Sequence, residues 1–489
     1  MKRGRKGLCL LLSLIILLSG CAGIPETEVS PEQTSKKSTE QTAAGTAAPA
    51  GTETKTVREY LDGIIGEGKK AEASPGKHAE AAVDGAYYYE AAMAPAAEEC
   101  PPYPGHLPGP EPKAGLLTAR EWSDVKNIPE FLKYLEEQKV QSVLAARQMP
   151  AGSVLFVQGL QGLNQLILKT SDGEILAEAA ANVYGKAVLF FDGKAAGNKA
   201  LTLLIDGQEN EVTLNGRFTE LSFDAHPEDL IADKLDLMLM VDTTGSMGDE
   251  LEYLKKELTN VVESVYARNP DMSIRVSVNF YRDEGDEYVV KYYDFRDEVQ
   301  AAVELIEAQS AFGGGDYPEA VHTALDNAVF GHTWREDAVK LCYLVFDAPP
   351  HREGSYVDVD EQTRKRVENI DATLQKAVSG AAAAGIRIIP VVASGAEDEV
   401  ETLGRCWAFS TGGTYIYLTN DSGIGYWHET PDVPETQLEY LNDCLIRVTA
   451  EYCGLIYEAG KYPEPSSGDE QTPPPVYELP VEPIIRETE

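Results

Sequence analysis

The feature that most constrains the fold is a short apolar run, residues 235–241, that ends in the polar sequence DTTGS. A run this short and this apolar predicts a strand buried on both faces of a parallel sheet. Asp242 would then lie at the carboxyl end of the strand, which is where open α/β sheets bind ligands. Gly245 permits a sharp turn at that point.

The polar residues after this strand carry the oxygen ligands that a hard divalent cation prefers. Asp242, Thr244 and Ser246 alternate along the loop and offer one carboxylate and two hydroxyls, which suits Mg²⁺. We also predict that Ser246 and Asp249 form a capping box at the start of a helix. The apolar residues of that helix recur at helical spacing: Leu251, Leu254, Leu258, Val261, Val262 and Val265. Taken alone, DTTGS also fits a helix N-cap after a core strand.

Two further loops complete a pattern of this kind. Residues 312–320, FGGGDYPEA, lie between two helical patterns, and residues 345–351, VFDAPPH, follow another apolar run. With DTTGS, they resemble the metal-ion-dependent adhesion site of von Willebrand factor A domains, and the resemblance covers about residues 234–453. It implies one divalent cation, Mg²⁺ or else Ca²⁺ or Mn²⁺. The implied metal ligands are Asp242, Thr244, Ser246, Asp316 and Asp347.

Asp316 departs from the common family pattern, because many members have a threonine at this position. Similar GGGDxPE and DAPPH runs occur in a bacterial and amoeboid branch of the family, so Asp316 is interpreted as a feature of that branch. A third carboxylate would make the cation a poorer Lewis acid for a ligand carboxylate. The alternative interpretation is that the GGGD turn starts a helix with an acidic N-cap.

The amino terminus predicts export. Residues 1–6 are basic, residues 8–18 are apolar, and Leu-Ser-Gly-Cys follows at 18–21. This looks like a bacterial lipoprotein signal, which implies a signal peptide at 1–20 and a lipidated Cys21. The protein would then be anchored in the cell membrane through lipid and face the cell surface or the periplasm. An uncleaved membrane anchor is the alternative.

Composition limits the partners and marks the flexible parts. The 489 residues include 42 Lys plus Arg against 80 Asp plus Glu, a formal net charge of −38, which repels nucleic acid. Residues 21–114 have few large aliphatic side chains, and residues 456–489 are acidic and rich in proline. We predict a disordered spacer and a disordered tail, respectively.

Three folded segments are expected between spacer and tail. Residues 115–140 are predicted to be a helical lead-in, with a capping box at Thr118 and Glu121 and a helix from Pro129. Residues 141–224 are predicted to form a small antiparallel β-sandwich, because Asp-Gly pairs at 172, 192 and 206 separate short apolar runs.

Residues 232–455 alternate strand and helix patterns, which predicts an α/β domain with a doubly wound, mostly parallel sheet, as in von Willebrand factor A domains. Strands near 274 and 288, joined by the acidic loop 282–287, would supply one antiparallel edge. We interpret that loop as a solvated hairpin tip, and His351 as a turn-stabilising or exposed residue.

The remaining cysteines show no metal-binding spacing. Cys100, Cys342, Cys406, Cys444 and Cys453 include no CxxC pair, and most are predicted to be small buried residues. A bridge between Cys406 and Cys444 or Cys453 stays open.

The preferred function is a binding module for a protein or cell-envelope ligand, not an enzyme. The sequence contains no HExxH, GxSxG, Walker or kinase signature. An envelope assembly factor and a metal-dependent hydrolase are the alternatives.

Overall fold

An eight-stranded sheet with helices on both faces organises the described part of the chain. The computed structural model describes residues 110–149, 152–197, 199–223, 230–354 and 361–457, all within the unit Glu80–Glu489. The predicted signal peptide, Cys21, most of the spacer and nearly all of the tail lie outside these ranges. Within them, every helix is too short or too polar to span a bilayer.

The strands of the central sheet come from both ends of the described chain. They are β1 (Thr118–Trp122), β9 (Lys234–Asp242), β10 (Ser273–Tyr281), β11 (Val290–Lys291), β12 (Val339–Phe346), β13 (Ile386–Val392), β14 (Tyr415–Leu418) and β15 (Glu439–Tyr440). A second group of strands lies between β1 and β9 in the sequence. These are β2 (Ser153–Gln158), β3 (Gln165–Thr170), β4 (Ile175–Ala180), β5 (Ala187–Phe191), β6 (Leu201–Ile205), β7 (Gln208–Val212) and β8 (Phe218–Ser222).

The helices alternate with the strands over most of the central sheet. They are α1 (Ile128–Tyr134), α2 (Gln138–Ala146), α3 (Gly193–Ala196), α4 (Leu251–Arg268), α5 (Val299–Glu307), α6 (Val321–Phe330), α7 (Glu361–Val367), α8 (Ile370–Ala384), α9 (Asp398–Thr411) and α10 (Leu441–Tyr452). A 3₁₀ turn, Gly245–Asp249, precedes α4, and a second one, Asn420–Ser422, follows β14.

The central sheet has the strand order β11-β10-β9-β12-β13-β14-β1-β15. Its five middle strands, from β10 to β14 in this order, run parallel. The predicted α/β fold with a mostly parallel sheet is therefore confirmed. The predicted antiparallel edge is formed by β11 against β10, and a second antiparallel edge is formed by β1 and β15.

Strand β9 lies at the centre of the sheet and contributes to both of its cores. Leu237 and Leu239 pack with α4, α5 and α10 on one face, whereas Met238 and Met240 pack with α6, α8 and α9 on the other. This alternation follows from the two-residue period of a strand. All six apolar residues predicted for the helix after β9 are buried in α4, which confirms that part of the prediction.

The capping box predicted at Thr118 and Glu121 is wrong, because these residues lie in strand β1. Ala119 pairs with Leu418 of β14, and Glu121 accepts a hydrogen bond from Thr414 Oγ1 at 2.7 Å. The sequence pattern fits a helix start, but pairing with distant strands overrides local propensity. The helix predicted from Pro129 is present as α1.

The segment between β1 and β9 contains two sheets that share a core. The sheet β4-β3-β6-β7 is antiparallel, whereas β2 of the sheet β5-β2-β8 runs parallel to β8. The sandwich prediction therefore holds in part. Hairpins follow at Asp172-Gly173 and Asp206-Gly207, as expected. At Asp192 the hairpin prediction is wrong, since this side chain caps helix α3 through the N–H of Lys194.

The four cysteines in the described ranges are buried free thiols. Cys342 lies in β12, Cys406 in α9, and Cys444 and Cys453 in or just after α10. The prediction of small buried residues is confirmed for these four, and the open alternative of a bridge to Cys406 is not realised.

Candidate metal centre

The first metal-binding loop predicted from the sequence brings its three oxygen-bearing residues together. Asp242 ends β9 and is buried. Its Oδ1 accepts hydrogen bonds from the Thr244 backbone N–H at 2.8 Å and from Thr244 Oγ1 at 2.6 Å, and Thr244 Oγ1 lies 3.2 Å from Ser246 Oγ. The second carboxylate oxygen, Oδ2, is buried and has no hydrogen-bond partner among the described residues.

Ser246 and Asp249 do not form the predicted capping box. They lie in the 3₁₀ turn Gly245–Asp249, and neither that turn nor α4 has a side-chain cap. Asp249 Oδ2 instead accepts hydrogen bonds from Ser394 Oγ at 3.1 Å and from the Tyr426 N–H at 2.5 Å. The prediction fails because both side chains are already engaged by the loops at the carboxyl edge of the sheet.

The third predicted loop places Asp347 beside the first. Asp347 follows β12 directly and is buried, and its Oδ1 has no hydrogen-bond partner in the described structure. Burial raises the pKa of Asp347 well above its usual range, the charge of Asp242 raises it further, and a hydrogen bond from Ser246 opposes both effects. Burial also raises the pKa of Asp242 to about 6.

A buried glutamate from the second loop joins these two aspartates, and the sequence prediction missed it. Glu319 Oε2 has no hydrogen-bond partner within the described ranges. Burial raises the pKa of Glu319 to about 10, and the charges of Asp242, Asp283 and Asp347 add to the increase. The Glu319 backbone pairs with the third loop through its N–H and the Pro349 carbonyl at 3.0 Å. The sequence signal that could have identified Glu319 was its position in the FGGGDYPEA run.

Asp316, the residue predicted from the second loop, has different neighbours. Its side chain is exposed, and its carboxylate lies with Asp283 and His351 in a group whose ligand atoms are all within 4.8 Å of one another. Ligation by Asp316 of the same cation as Asp242 stays a prediction.

The acidic loop 282–287 is not the solvated hairpin tip that we expected. Asp283 is buried, and its Oδ1 lies 2.9 Å from His351 Nε2, so His351 is also buried rather than exposed. Asp286 Oδ2 accepts a hydrogen bond from the Gly314 N–H at 2.9 Å. The loop therefore folds onto the second and third predicted loops, because their backbone and imidazole groups satisfy its carboxylates.

His322, at the start of α6, is buried without hydrogen bonds. Neither ring nitrogen has a partner in the part of the chain that the structure describes. Burial lowers the pKa of His322 to about 3, and the charge of His351 lowers it further, while Asp283 acts in the opposite direction. The imidazole is therefore neutral at physiological pH.

Two buried arginines hold the loops in place from outside the cation site. Arg282 donates to the Thr243 carbonyl at 3.1 Å and to the Ser310 carbonyl at 2.9 Å. Arg147, which follows α2, donates to the carbonyls of Pro350 at 2.6 Å and His351 at 2.7 Å. The sequence gives no signal for the role of Arg147, because it lies about 200 residues before the loop that it supports.

Four exposed aromatic residues surround these loops, and we call them the aromatic rim: Phe312, Tyr317, Tyr426 and Trp427. Trp427 is 72% exposed, and its carbonyl accepts a hydrogen bond from the Gly395 N–H. Tyr317 directs its hydroxyl to the Asp347 carbonyl at 3.4 Å, and Phe312 donates its N–H to the Thr243 carbonyl. Exposed aromatic side chains are enriched where proteins bind partners.

The arrangement fits a hard divalent cation. Asp242 Oδ2 and Asp347 Oδ1 are buried carboxylate oxygens without hydrogen-bond partners in the described chain, and the hydroxyls of Thr244 and Ser246 lie beside them. Buried carboxylates are costly unless they are paired or bind a metal. These oxygen donors suit Mg²⁺, Ca²⁺ or Mn²⁺.

Comparison with known families agrees with the fold. Residues 236–420 match the von Willebrand factor A domain family, so the chain contains such a domain. A protein of Acanthamoeba polyphaga mimivirus, described as an ariadne-like RING finger protein, is 32% identical over 127 residues. The match covers 25% of this chain and 12% of the viral protein.

Proposed function

We propose that this protein is a membrane-tethered binding module whose A domain holds one divalent cation and binds a protein or cell-envelope ligand. The proposed ligands are Asp242 and Asp347, directly or through water, and the hydroxyls of Thr244 and Ser246. The observation that supports it most strongly is the pair of buried carboxylate oxygens without partners among the described residues, Asp242 Oδ2 and Asp347 Oδ1. A cation would compensate their desolvation.

The cation would supply a positive charge that orders the loops and attracts a ligand oxygen. The carboxyl groups of Asp242, Asp347 and Glu319 lie close to one another, so their negative charge would balance the charge of the cation. A cation surrounded by carboxylates is a weaker Lewis acid for an incoming carboxylate. We therefore assign much of the binding energy to the aromatic rim, whose exposed rings can bury apolar area against a partner.

Binding fits the surroundings of the site better than catalysis does. Two histidines near the loops, His351 and His428, are buried and contact carboxylates, with His428 Nε2 at 2.6 Å from Glu250 Oε1. A buried imidazole held in this way is poorly placed to exchange protons with a substrate. We therefore propose a protein that is not an enzyme.

The proposed location is the extracytoplasmic face of the cell membrane. It is supported by the lipoprotein-like sequence that ends at Cys21, which lies outside the described residues. The formal net charge of −38 favours cationic partners at that surface over nucleic acid or anionic lipid headgroups.

The test is calorimetric titration of Mg²⁺, Mn²⁺ and Ca²⁺ into chelator-treated residues 22–489. We expect one-site Mg²⁺ binding in the wild type and a loss of at least about 100-fold in affinity for Asp242→Ala, because the buried ligand is removed. Asp271→Asn is the matched control, since Asp271 is an exposed aspartate at the opposite edge of the sheet. Equal Mg²⁺ affinity in wild type and folded Asp242→Ala would contradict the proposal.

Partner binding is tested by capturing envelope components on the immobilised protein with Mg²⁺ or with chelator. We expect cation-dependent retention that Trp427→Ala and Tyr426→Ala weaken without changing Mg²⁺ affinity. Turnover of a phosphate or peptide substrate that is lost in Asp242→Ala would instead favour the metal-dependent hydrolase. Capture of a multi-subunit envelope complex would favour the assembly factor.

A further inference from the structure

We propose that Asp283, Asp316 and His351 form a second cation site, which binds a divalent transition metal such as Zn²⁺. The site is built from the acidic loop and the second and third predicted loops, and it does not depend on cation binding at Asp242. Its ligands are two carboxylates and one imidazole, a different set from the carboxylates and hydroxyls at Asp242.

The geometry places the three side chains close to ligating distance. One potential ligand atom from each residue lies within 4.8 Å of the others, and His351 Nε2 lies 2.9 Å from Asp283 Oδ1. Zn²⁺ binds nitrogen and oxygen ligands at about 2.0–2.2 Å in tetrahedral geometry, so two ligands of one ion are about 3.3–3.6 Å apart. The 2.9 Å pair lies within about 0.7 Å of this separation, and the cation would take the place of the proton that joins the two side chains.

Asp316 is the residue whose side chain would move to complete the site. Asp316 is exposed, whereas Asp283 and His351 are buried. Asp316 also follows three glycines with positive φ angles of 85°, 82° and 134° at 313–315, where the chain lacks Cβ atoms. A shift of about 1.5 Å in the Asp316 carboxylate would bring it within ligand distance.

A second observation concerns a buried imidazole close to these residues. His322 is completely buried, and neither of its ring nitrogens has a hydrogen-bond partner among the described residues. It lies close enough to His351 and Asp283 for their charges to act on it. The great majority of buried polar atoms in proteins have a hydrogen-bond partner or another ligand, supplied by the chain, by water or by an ion. A water molecule bound to the second cation would supply the partner that His322 lacks.

The ligand chemistry distinguishes this site from the one at Asp242. An imidazole nitrogen together with carboxylates suits Zn²⁺, Co²⁺ or Fe²⁺, whereas hydroxyls and carboxylates suit Mg²⁺ and Ca²⁺. The two sites therefore take different cations under competition. The second loop contributes Glu319, which lies near Asp242, and it also contributes Asp316 to the second cation site. The two sites therefore share one loop.

The test uses Co²⁺ as a spectroscopic probe of Zn²⁺ binding. Co²⁺ is titrated into chelator-treated residues 22–489 with excess Mg²⁺ present, and the visible absorption of bound Co²⁺ is recorded. We expect one equivalent of bound Co²⁺ that Zn²⁺ displaces. Asp316→Asn and His351→Gln should each weaken Co²⁺ binding at least tenfold, whereas Asp242→Ala should leave it unchanged. Asp271→Asn again serves as the matched control.

Asp316→Asn decides the outcome, because Asp316 is exposed, whereas His351→Gln changes a buried residue. Far-ultraviolet circular dichroism checks the fold of each variant. Unchanged Co²⁺ absorption in Asp316→Asn would overturn the proposal. Loss of Mg²⁺ affinity in Asp316→Asn with normal Co²⁺ absorption would also overturn it and assign Asp316 to the Asp242 site. The failure of Mg²⁺ binding in the wild type would contradict only the proposed function.

Discussion

Asp124 and Arg405 form a buried ion pair that joins the segment after β1 to α9. The Arg405 guanidinium contacts both carboxylate oxygens, with Nε at 3.0 Å from Oδ2 and Nη2 at 2.8 Å from Oδ1. Trp122 Nε1 donates to the same carboxylate at 2.8 Å, and the guanidinium lies 3.5 Å from the centre of the Tyr134 ring. Such two-point geometry requires arginine rather than lysine.

We predict that Asp124→Ala lowers the free energy of unfolding by about 3–5 kcal/mol, because it leaves the Arg405 charge buried with less compensation. Urea unfolding followed by tryptophan fluorescence measures this change. The control is Lys126→Ala, which removes an exposed pair with Glu451 and should cost less than about 1 kcal/mol. Similar losses in both variants would show that the buried pair contributes no more than a surface pair.

Glu257 of α4 holds the chain immediately before β1. Its carboxylate accepts backbone N–H bonds from Gly115 and Leu116 at 2.9 Å and from Leu117 at 3.0 Å. Burial nevertheless raises the pKa of Glu257 to about 7, although these hydrogen bonds act in the opposite direction. The contribution of this residue to stability therefore depends on pH.

Because the pKa of Glu257 is higher in the folded protein, its contribution is fully present below pH 4.5 and is lost as the pH rises through about 7. The full difference is about 3 kcal/mol. We predict that the stability of the wild type relative to Glu257→Gln falls by this order between pH 4.5 and 7.5, as measured by urea unfolding at each pH. A difference that does not change with pH would mean that the three N–H groups keep the carboxylate ionised.

Strand β1 shows why part of the fold could not be predicted from the sequence. The buried strands β9, β12 and β13 are recognisable because each is a largely apolar run. The five residues of β1 contain Thr118 and Glu121 at capping-box spacing, and their partners in β14 lie about 300 residues later. Local patterns cannot specify pairing over that distance, so a tertiary contact decides the conformation.

The candidate site also contains some residues whose positions could be predicted from the sequence and others whose positions could not. Asp242 and Asp347 each follow an apolar strand directly, and the carboxyl ends of parallel strands share one edge, so their proximity could be predicted. Asp283 lies in a loop with four acidic residues, which is typical of a solvated turn. It is nevertheless buried, and its carboxylate is bonded to His351, which lies 68 residues later.

For β1 as an element, we predict that Ala119→Asp destabilises the protein by more than about 3 kcal/mol, because it buries an unpaired charge between β14 and β15. The measurement is the free energy of unfolding in urea. Ala145→Asp is the matched control, since Ala145 is exposed on α2. Equal stability of the two variants would mean that β1 contributes little to the central sheet.

At the scale of the whole molecule, the smaller two-sheet region is an insertion within the α/β domain. Strand β1 precedes it and β9 follows it, yet both belong to the central sheet. The boundary predicted at residue 232 lies between β1 and the other seven strands of the central sheet, which follow from β9 onward. Arg147 adds a further link, because it lies before the insertion and supports the loop that follows β12.

The proposed anchoring through Cys21 is also tested at the scale of the whole molecule. We predict that Cys21→Ala moves the protein from the membrane fraction to the soluble fraction when cells are fractionated, because acyl chains on Cys21 would supply the membrane affinity. Immunoblotting of both fractions measures the shift. Cys9→Ala, within the apolar run, is the control and should leave the protein in the membrane fraction. A membrane-bound Cys21→Ala protein would favour the uncleaved anchor.

The antiparallel direction of β1 has a mechanical consequence. Ala119 pairs with Leu418 at the carboxyl end of β14, so the chain from the spacer reaches the sheet at the same edge as Asp242 and Asp347. In a protein anchored at Cys21, tension between the membrane and a captured ligand would act across the side of the sheet that holds the carboxyl ends of its parallel strands. The backbone segment held by Glu257 would yield first, while the far ends of the strands would carry little force.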